Sequence, residues 1–128
     1  MRRLPLTNIP QDIRERTFEF ALRIIKLCNE LNKRPGVCRD ISRQLLKAET
    51  SVGANTEEAQ AAQSKPDFIS KNSIALKEAR ETHYWLRLLI AAKVLPEDRL
   101  TGLLDEAEEI KRILGSIVVS AKRRQRTL

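Results

Sequence analysis

One histidine, two cysteines and several closely spaced glutamates are the residues of this sequence that could carry out chemistry. Carboxylate-bridged metal sites in helix bundles need Glu-x-x-His on two helices, whereas His83 follows Arg80 at that spacing. The sequence therefore predicts no di-metal centre. His83 could pair with Cys28 or Cys38 as a nucleophile dyad, but no oriented third residue or oxyanion loop accompanies them. The favoured interpretation of His83 is a packing or helix-surface residue.

Motifs that bind phosphate or build an active site do not occur in the sequence. It contains no GxGxxG, GxxxxGK[ST], HExxH or GxSxG, and four glycines could hardly form a phosphate cradle. Cys28 and Cys38 are too far apart for a CxxC metal or redox pair, so both are expected to be reduced thiols. We expect no enzymatic activity, no metal and no cofactor.

Length and composition favour one helical domain. The chain has 128 residues, of which 41% are apolar, enough for one hydrophobic core, and 32% are charged. Aromatic residues make up only 4%, which is unfavourable for a turn-rich β sandwich. No run of 18 apolar residues and no secretory signal occurs, so we expect a soluble, cytoplasmic protein. The expected domain spans residues 1–128, with a basic C-terminal tail at 122–128 whose flexibility the sequence leaves open.

Apolar residues recur at helical spacing in four segments, separated by proline-containing connections. The pattern predicts helices that begin after Pro10, near Val37, after Pro66 and at Pro96. Helices of roughly 22 to 27 residues joined by short connections favour an antiparallel, up-down-up-down four-helix bundle. The predicted fold class is therefore all-α.

Basic and acidic residues are segregated along the chain. Residues 1–47 carry a net charge of +6, residues 48–110 carry −5, and residues 111–128 carry +6. An even number of antiparallel helices places both termini and the central turn at one end, with Lys33, Arg34 and Arg39 at the other. That first end is a candidate nucleic-acid site, since clustered cations attract phosphate. Its predicted residues are Arg2, Arg3, Lys65, Lys122, Arg123, Arg124 and Arg126.

The middle of the chain contains three distinctive sequence elements. They are Ser51-Val52-Gly53-Ala54-Asn55-Thr56-Glu57-Glu58-Ala59, the dipeptide Asp67-Phe68, and Lys77-Glu78-Ala79-Arg80-Glu81-Thr82-His83-Tyr84-Trp85-Leu86. They resemble the four-helix-bundle proteins encoded by intervening sequences of bacterial large-subunit ribosomal RNA genes. The resemblance implies a homo-oligomer, specifically a pentameric ring, with no established catalytic activity. Related bundles are basic accessory proteins of diversity-generating retroelements, which implies a reverse-transcriptase-like or ribosome-associated partner.

Polar residues of these elements are predicted to form a layer that sets helix register, inside the bundle or between subunits. Asn55 is expected to be buried and hydrogen-bonded at the level of Glu78, because an unpaired buried amide costs about 1 to 3 kcal/mol. Lys77 and Glu81 are also spaced for an intrahelical pair. The predicted layer comprises Asn55, Glu58, Lys77, Glu78, Glu81 and Trp85.

Two functional classes remain open at the level of sequence. The favoured one is a non-enzymatic oligomeric bundle that binds nucleic acid, RNA rather than DNA, through phosphates. The alternative is a protein-interaction scaffold or accessory subunit of a partner enzyme. Tyr84 and Trp85 could stack on bases, although a role as an aromatic anchor in the core or at a subunit contact is favoured.

Overall fold

The computed structural model describes residues 12–127, which form four α-helices. Helix α1 spans Ile13–Leu31, α2 spans Val37–Gln60, α3 spans Lys65–Ala91 and α4 spans Thr101–Thr127. Each helix packs against two neighbours, in the cyclic order α1, α2, α3, α4. The antiparallel four-helix bundle predicted from the sequence is therefore confirmed. Residues 122–127, predicted as a tail, are the last turns of α4.

Local sequence signals account for the helix starts. Asp12 caps α1 by accepting a hydrogen bond from the Arg14 backbone N–H at 3.0 Å. Ser64 caps α3 in the same way, accepting from the Asp67 N–H at 3.1 Å. Gly36 precedes α2 with a φ of 82°, a conformation that a side chain would strain. These caps fix the short connections that make neighbouring helices antiparallel.

The predicted start of the fourth helix at Pro96 is wrong. A 3₁₀ turn occupies Glu97–Arg99, and α4 begins only at Thr101. Leu95 and Leu100, on either side of this turn, are both buried against the end of the core. Leu100 thus begins the buried stripe of α4, while Leu95 covers the end of the core from the connection. Helix α1, with 19 residues, is also shorter than predicted.

The core runs along the bundle axis and is built from the predicted apolar stripes. Phe20, Ile24, Leu45, Leu86 and Leu114 are all essentially inaccessible to solvent. Buried alanines on α2, α3 and α4 alternate with these larger side chains and allow close helix packing. The polar side chains buried among them are Thr17, Ser42, Glu49, Thr56, Asn72 and Thr82.

Candidate nucleic-acid interface

The turn between α2 and α3 and the last turns of α4 meet at one end of the bundle. They surround an open hollow of about 320 Å³. Lys65 lines it from the start of α3, and Arg124 lines it from the end of α4. Gln60, Gln63 and Ser64 add polar groups to the wall. Two of the basic segments predicted to share an end are therefore brought together.

The end of α4 adds further positive charge at this site. Lys122, Arg123 and Arg126 are exposed on the last two turns of the helix. Cations at a helix C-terminus are favoured by the helix dipole, so their position is compatible with helix stability. Arg2 and Arg3, also predicted to belong here, lie outside the described residues. We use the term basic end for Lys65, Lys122, Arg123, Arg124 and Arg126.

Two acidic side chains near the basic end, Asp67 and Asp12, have partners within the protein. Asp67 accepts a hydrogen bond from the Gln63 backbone N–H at 3.4 Å. Asp12, at the start of α1, pairs with Arg14 at 3.0 Å, and the arginine holds the pKa of this carboxyl below its usual value. These contacts reduce the opposing negative charge that a phosphate would meet.

Cations at the opposite end of the bundle bind protein groups. Arg34 donates a hydrogen bond to the Val94 backbone carbonyl, and Lys33 lies 3.8 Å from a Glu30 carboxylate oxygen. Arg39 donates to the Asn32 carbonyl at 3.5 Å. The sequence placed Lys33, Arg34 and Arg39 at this end, and the structure gives all three roles in holding connections together.

The predicted polar layer does not lie inside the bundle. Asn55 is half-buried, so the prediction that it is buried is wrong, and its amide donates to the Ser51 backbone carbonyl at 2.9 Å. Trp85 Nε1 donates to a Glu81 carboxylate oxygen at 3.3 Å, again within one helix. Glu78 is half-buried, whereas Glu58 and Lys77 are exposed. The hydrogen bonds described for Asn55 and Trp85 therefore remain within their own helices.

A buried carboxyl group that sequence reasoning missed lies elsewhere in α2. Glu49 is 1% exposed, and its Oε2 has no hydrogen-bond partner in the described structure. Burial, with a smaller contribution from Glu106, raises the pKa of Glu49 to about 9, so this carboxyl is neutral at pH 7. Its spacing from Leu45 and Val52, four residues after one and three before the other, was a signal that it shares their buried stripe.

The neighbouring Glu106 is held by a two-pronged ion pair. Arg16 Nε and Nη2 donate to its two carboxylate oxygens at 2.7 and 2.9 Å. Both side chains are largely shielded, at 29% and 20% exposure, and the contact raises the pKa of Arg16. This pair joins α1 to α4 beside the neutral Glu49.

His83 belongs to a charge cluster between α3 and α4. Its Nε2 lies 3.2 Å from a Glu108 carboxylate oxygen, and Lys111 and Arg112 contact the same carboxylate. Partial burial and the positive charge of Lys111 lower the pKa of His83 despite Glu108. Arg112 and Lys111 hold the pKa of Glu108 at about 2. The histidine thus lies at a helix-packing contact, as the sequence suggested.

The described residues contain neither a cluster suited to a metal ion nor a helix suited to a membrane. Within residues 12–127, no three His, Cys, Asp or Glu side chains converge in a way that could hold a metal ion. None of the helices described there combines the length and the apolar character needed to cross a membrane. Cys28 and Cys38 are both free thiols. Cys28 is buried, where desolvation raises its pKa.

The fold and the charged surface define an all-α four-helix-bundle protein with a basic end. Residues 11–116 match the 23S rRNA-intervening sequence protein family, and the chain belongs to that family. It is also similar to a crystal structure from Bacteroides thetaiotaomicron, described as a protein with unknown function from the S23 ribosomal protein family. That similarity has a TM-score of 0.76 at 41% identity, over 83% of this chain and 97% of the other. A search of curated proteins finds no match.

Proposed function

We propose that this protein is a non-enzymatic, homo-oligomeric bundle that binds nucleic acid, with RNA favoured over DNA, through the phosphates. The observation that supports this most is the convergence of Lys65 and Arg124 on one open hollow at the basic end. Exposed cations on two different helices can contact successive phosphates of one strand. The proposed site of action is the cytoplasm, where the free thiols would stay reduced.

The chemistry of the basic end supports recognition of the nucleic-acid backbone rather than of bases. Its charged groups are lysine and arginine side chains, which bind phosphate but carry no sequence information. Of the aromatic pair that could stack on bases, Trp85 is half-buried and hydrogen-bonded to Glu81. Tyr84 is 49% exposed but lies about 28 Å along α3 from Lys65. Oligomerisation, with a pentamer expected from the family resemblance, would multiply the basic end by the number of copies. Sequence preference should therefore be slight.

The salt dependence of binding tests this proposal. If about five phosphates are neutralised, log affinity falls with log salt at a slope of about −3.5 for single strands and about −4.5 for duplexes. The measurement is anisotropy of labelled RNA and DNA across several salt concentrations. Replacing Lys122, Arg123 and Arg126 by Gln should flatten the slope by about 2 to 3. Equal slopes for the variant and the parent protein, or no binding at low salt, would contradict the proposal.

A matched control separates site binding from the general effect of positive charge. Replacing Lys33, Lys93 and Arg99 by Gln removes the same charge from the opposite end, where all three side chains are also exposed. This control should retain most of the parent slope. A control that loses as much binding as the basic-end variant would assign the affinity to net charge alone.

A protein-interaction scaffold, including an accessory subunit for a reverse-transcriptase-like or ribosome-associated partner, is the second candidate. Apolar side chains on the outside of α1 favour it, because Phe18 is 60% exposed and Leu22 is 43% exposed. Under this alternative the charge would serve assembly or docking. Absence of nucleic-acid binding combined with a stable oligomer would favour it over the first proposal.

A further inference from the structure

An apolar stripe runs along the outside of α1. Phe18, Leu22 and Ile25 are spaced four and three residues apart, so they lie on one side of the helix. They are 60%, 43% and 40% exposed, although each is large and apolar. Single exposed apolar residues are common on protein surfaces, whereas a contiguous stripe is typical of an interaction site. Nothing within the described bundle covers this stripe.

The contacts of α1 show that this stripe borders α2. Arg16 pairs with Glu106 of α4, and Glu30 contacts Arg99 in the 3₁₀ turn before α4. Both residues lie on the opposite edge of α1. Cys28 faces α2, where its thiol and the Ser42 hydroxyl each approach the other residue's carbonyl oxygen at 3.4 Å. A groove beside this contact is lined by Arg39, Arg43 and Leu46 of α2 and by Asn32, the residue that caps the end of α1. We use the term α1–α2 face for Phe18, Leu22, Ile25, Arg39, Arg43 and Leu46.

A second stripe lies on α3, outside its buried face. Ile74, Glu78, Glu81 and Trp85 follow one another at intervals of four, three and four residues, the same spacing as on α1. Each is partly accessible, with Ile74 at 40%. His83, which contacts α4, lies on the other edge of the helix, so this stripe borders α2. We use the term α2–α3 face for Ser51, Asn55, Ile74, Glu78, Glu81 and Trp85.

We propose that the α1–α2 face of one copy docks on the α2–α3 face of a second copy. The inference rests on the self-association in the proposed function and specifies its surfaces. The apolar stripe of α1 would pack against Ile74 and Trp85 of the other copy. Arg39 and Arg43 would then lie opposite its Glu78 and Glu81. The two faces thus match in spacing and are opposite in charge, which supports a second copy as the occupant. Arg43 is available for this, since its pair with Asp40 is exposed and long, at 3.5 Å.

The two faces are different surfaces on opposite sides of α2, so the contact is heterologous. Every copy then offers one face of each kind, and successive copies form a ring or an open chain. Two residues of the predicted polar layer belong to this proposed contact between copies. Asn55 and Glu81 would lie at the subunit contact, while their intrahelical hydrogen bonds hold their side chains in place.

Two variants, each blocked on one face, test the proposal. Phe18→Glu places a negative charge against the acidic face, and Ile74→Lys places a positive charge against the basic one. Each variant alone should lose the parent oligomer and sediment near the 14.7 kDa monomer mass. An equimolar mixture should form a species of twice that mass, because one intact face of each kind remains. Analytical ultracentrifugation and light scattering measure these masses.

Val119→Glu is the matched control, since Val119 is 53% exposed on α4 and lies outside both faces. It should retain the parent mass, and circular dichroism should show the parent helix content for all three variants. The proposal is overturned if Phe18→Glu and Ile74→Lys retain the mass of an oligomeric parent, or if their mixture stays monomeric. A monomeric parent protein would instead overturn self-association itself. The salt slope of nucleic-acid binding is measured separately, so the two failures are distinguishable.

Discussion

Two polar regions of α2, one around Asn55 and one around Glu49, differ in how deeply their side chains are buried. Asn55 lies at the outer edge of the helix, half-buried, and satisfies its amide on the Ser51 carbonyl. Glu49, on the inner side, is completely enclosed and has an oxygen without a partner. Asn55, which was predicted to be buried, lies at the edge of the helix, and Glu49, whose side chain is typical of a surface residue, lies in the core. Polarity alone therefore does not indicate which side of a helix a residue occupies.

The energetic consequence of this difference falls on Glu49. A half-buried amide with a backbone partner costs the fold little, whereas an enclosed carboxyl must keep its proton to avoid a buried charge. Arg16 is already bound to Glu106 and is therefore not a dedicated partner for Glu49. The interior of the bundle thus contains a destabilising group, and its outer edge contains a nearly neutral one.

The largest expected effect is the pH dependence that Glu49 imposes. Its pKa is about 9 in the folded protein and near 4.5 when unfolded, so the folded state binds more protons between these values. Stability therefore falls as pH rises from about 4.5 to about 9, by up to about 1.4 kcal/mol per pH unit, and the decline ends above the folded pKa. Glu49→Gln should remove this decline. Urea unfolding at several pH values measures it.

Glu58→Gln provides the control, because Glu58 is an exposed carboxyl on the same helix. It should keep the parent decline in stability with pH. If Glu49→Gln and the parent protein show the same decline, Glu49 is not the neutral group that the structure indicates.

The second expected effect concerns the ion pair beside Glu49. Arg16→Met leaves the Glu106 carboxylate shielded and without its two donors, which should destabilise the fold by about 2 kcal/mol. Adding Glu106→Gln should restore much of the loss, since no unpaired charge then remains. Thermal and urea unfolding of the parent, both single variants and the double variant measure the free energies for this double-mutant cycle. A double variant as unstable as the sum of the single ones would contradict direct coupling.

The four helices could be predicted well from the sequence, and the contacts between them less well. Apolar spacing identified four helices, and prolines located the connections, because these signals are local. The even number of helices also brought Lys65 to the same end as Arg124. The position of Asn55 depended instead on how α2 is rotated against α1 and α3, which spacing within one helix does not determine. The residues of α2 that pack closely in the core, among them Ala48, Val52 and Ala59, lie instead on the inner side of the helix.

Glu49 illustrates the complementary failure. It occupies the same side of α2 as Leu45, Val52 and Thr56, so helical spacing alone was sufficient to place it inside. A glutamate within an apolar stripe is ordinarily assigned to the surface, since burying a charge is costly. The protein avoids that cost by keeping the group protonated. That solution depends on the surroundings of the side chain, which sequence does not specify.

Asn55→Leu should have the smallest effect on the stability of the folded bundle. The substitution removes one partly exposed intrahelical hydrogen bond, so the free energy of unfolding should change by less than about 1 kcal/mol. Helix content should not change, because leucine is a stronger helix former than asparagine.

The mass of the oligomer is the informative measurement, since the proposed α2–α3 face includes Asn55. Ser116→Leu, an exposed position on α4 outside both proposed faces, is the control for added apolar surface. A change in mass for Asn55→Leu alone, with both variants equally stable, would place Asn55 at the subunit contact, whereas a loss of several kcal/mol would return it to the interior and contradict the geometry described above.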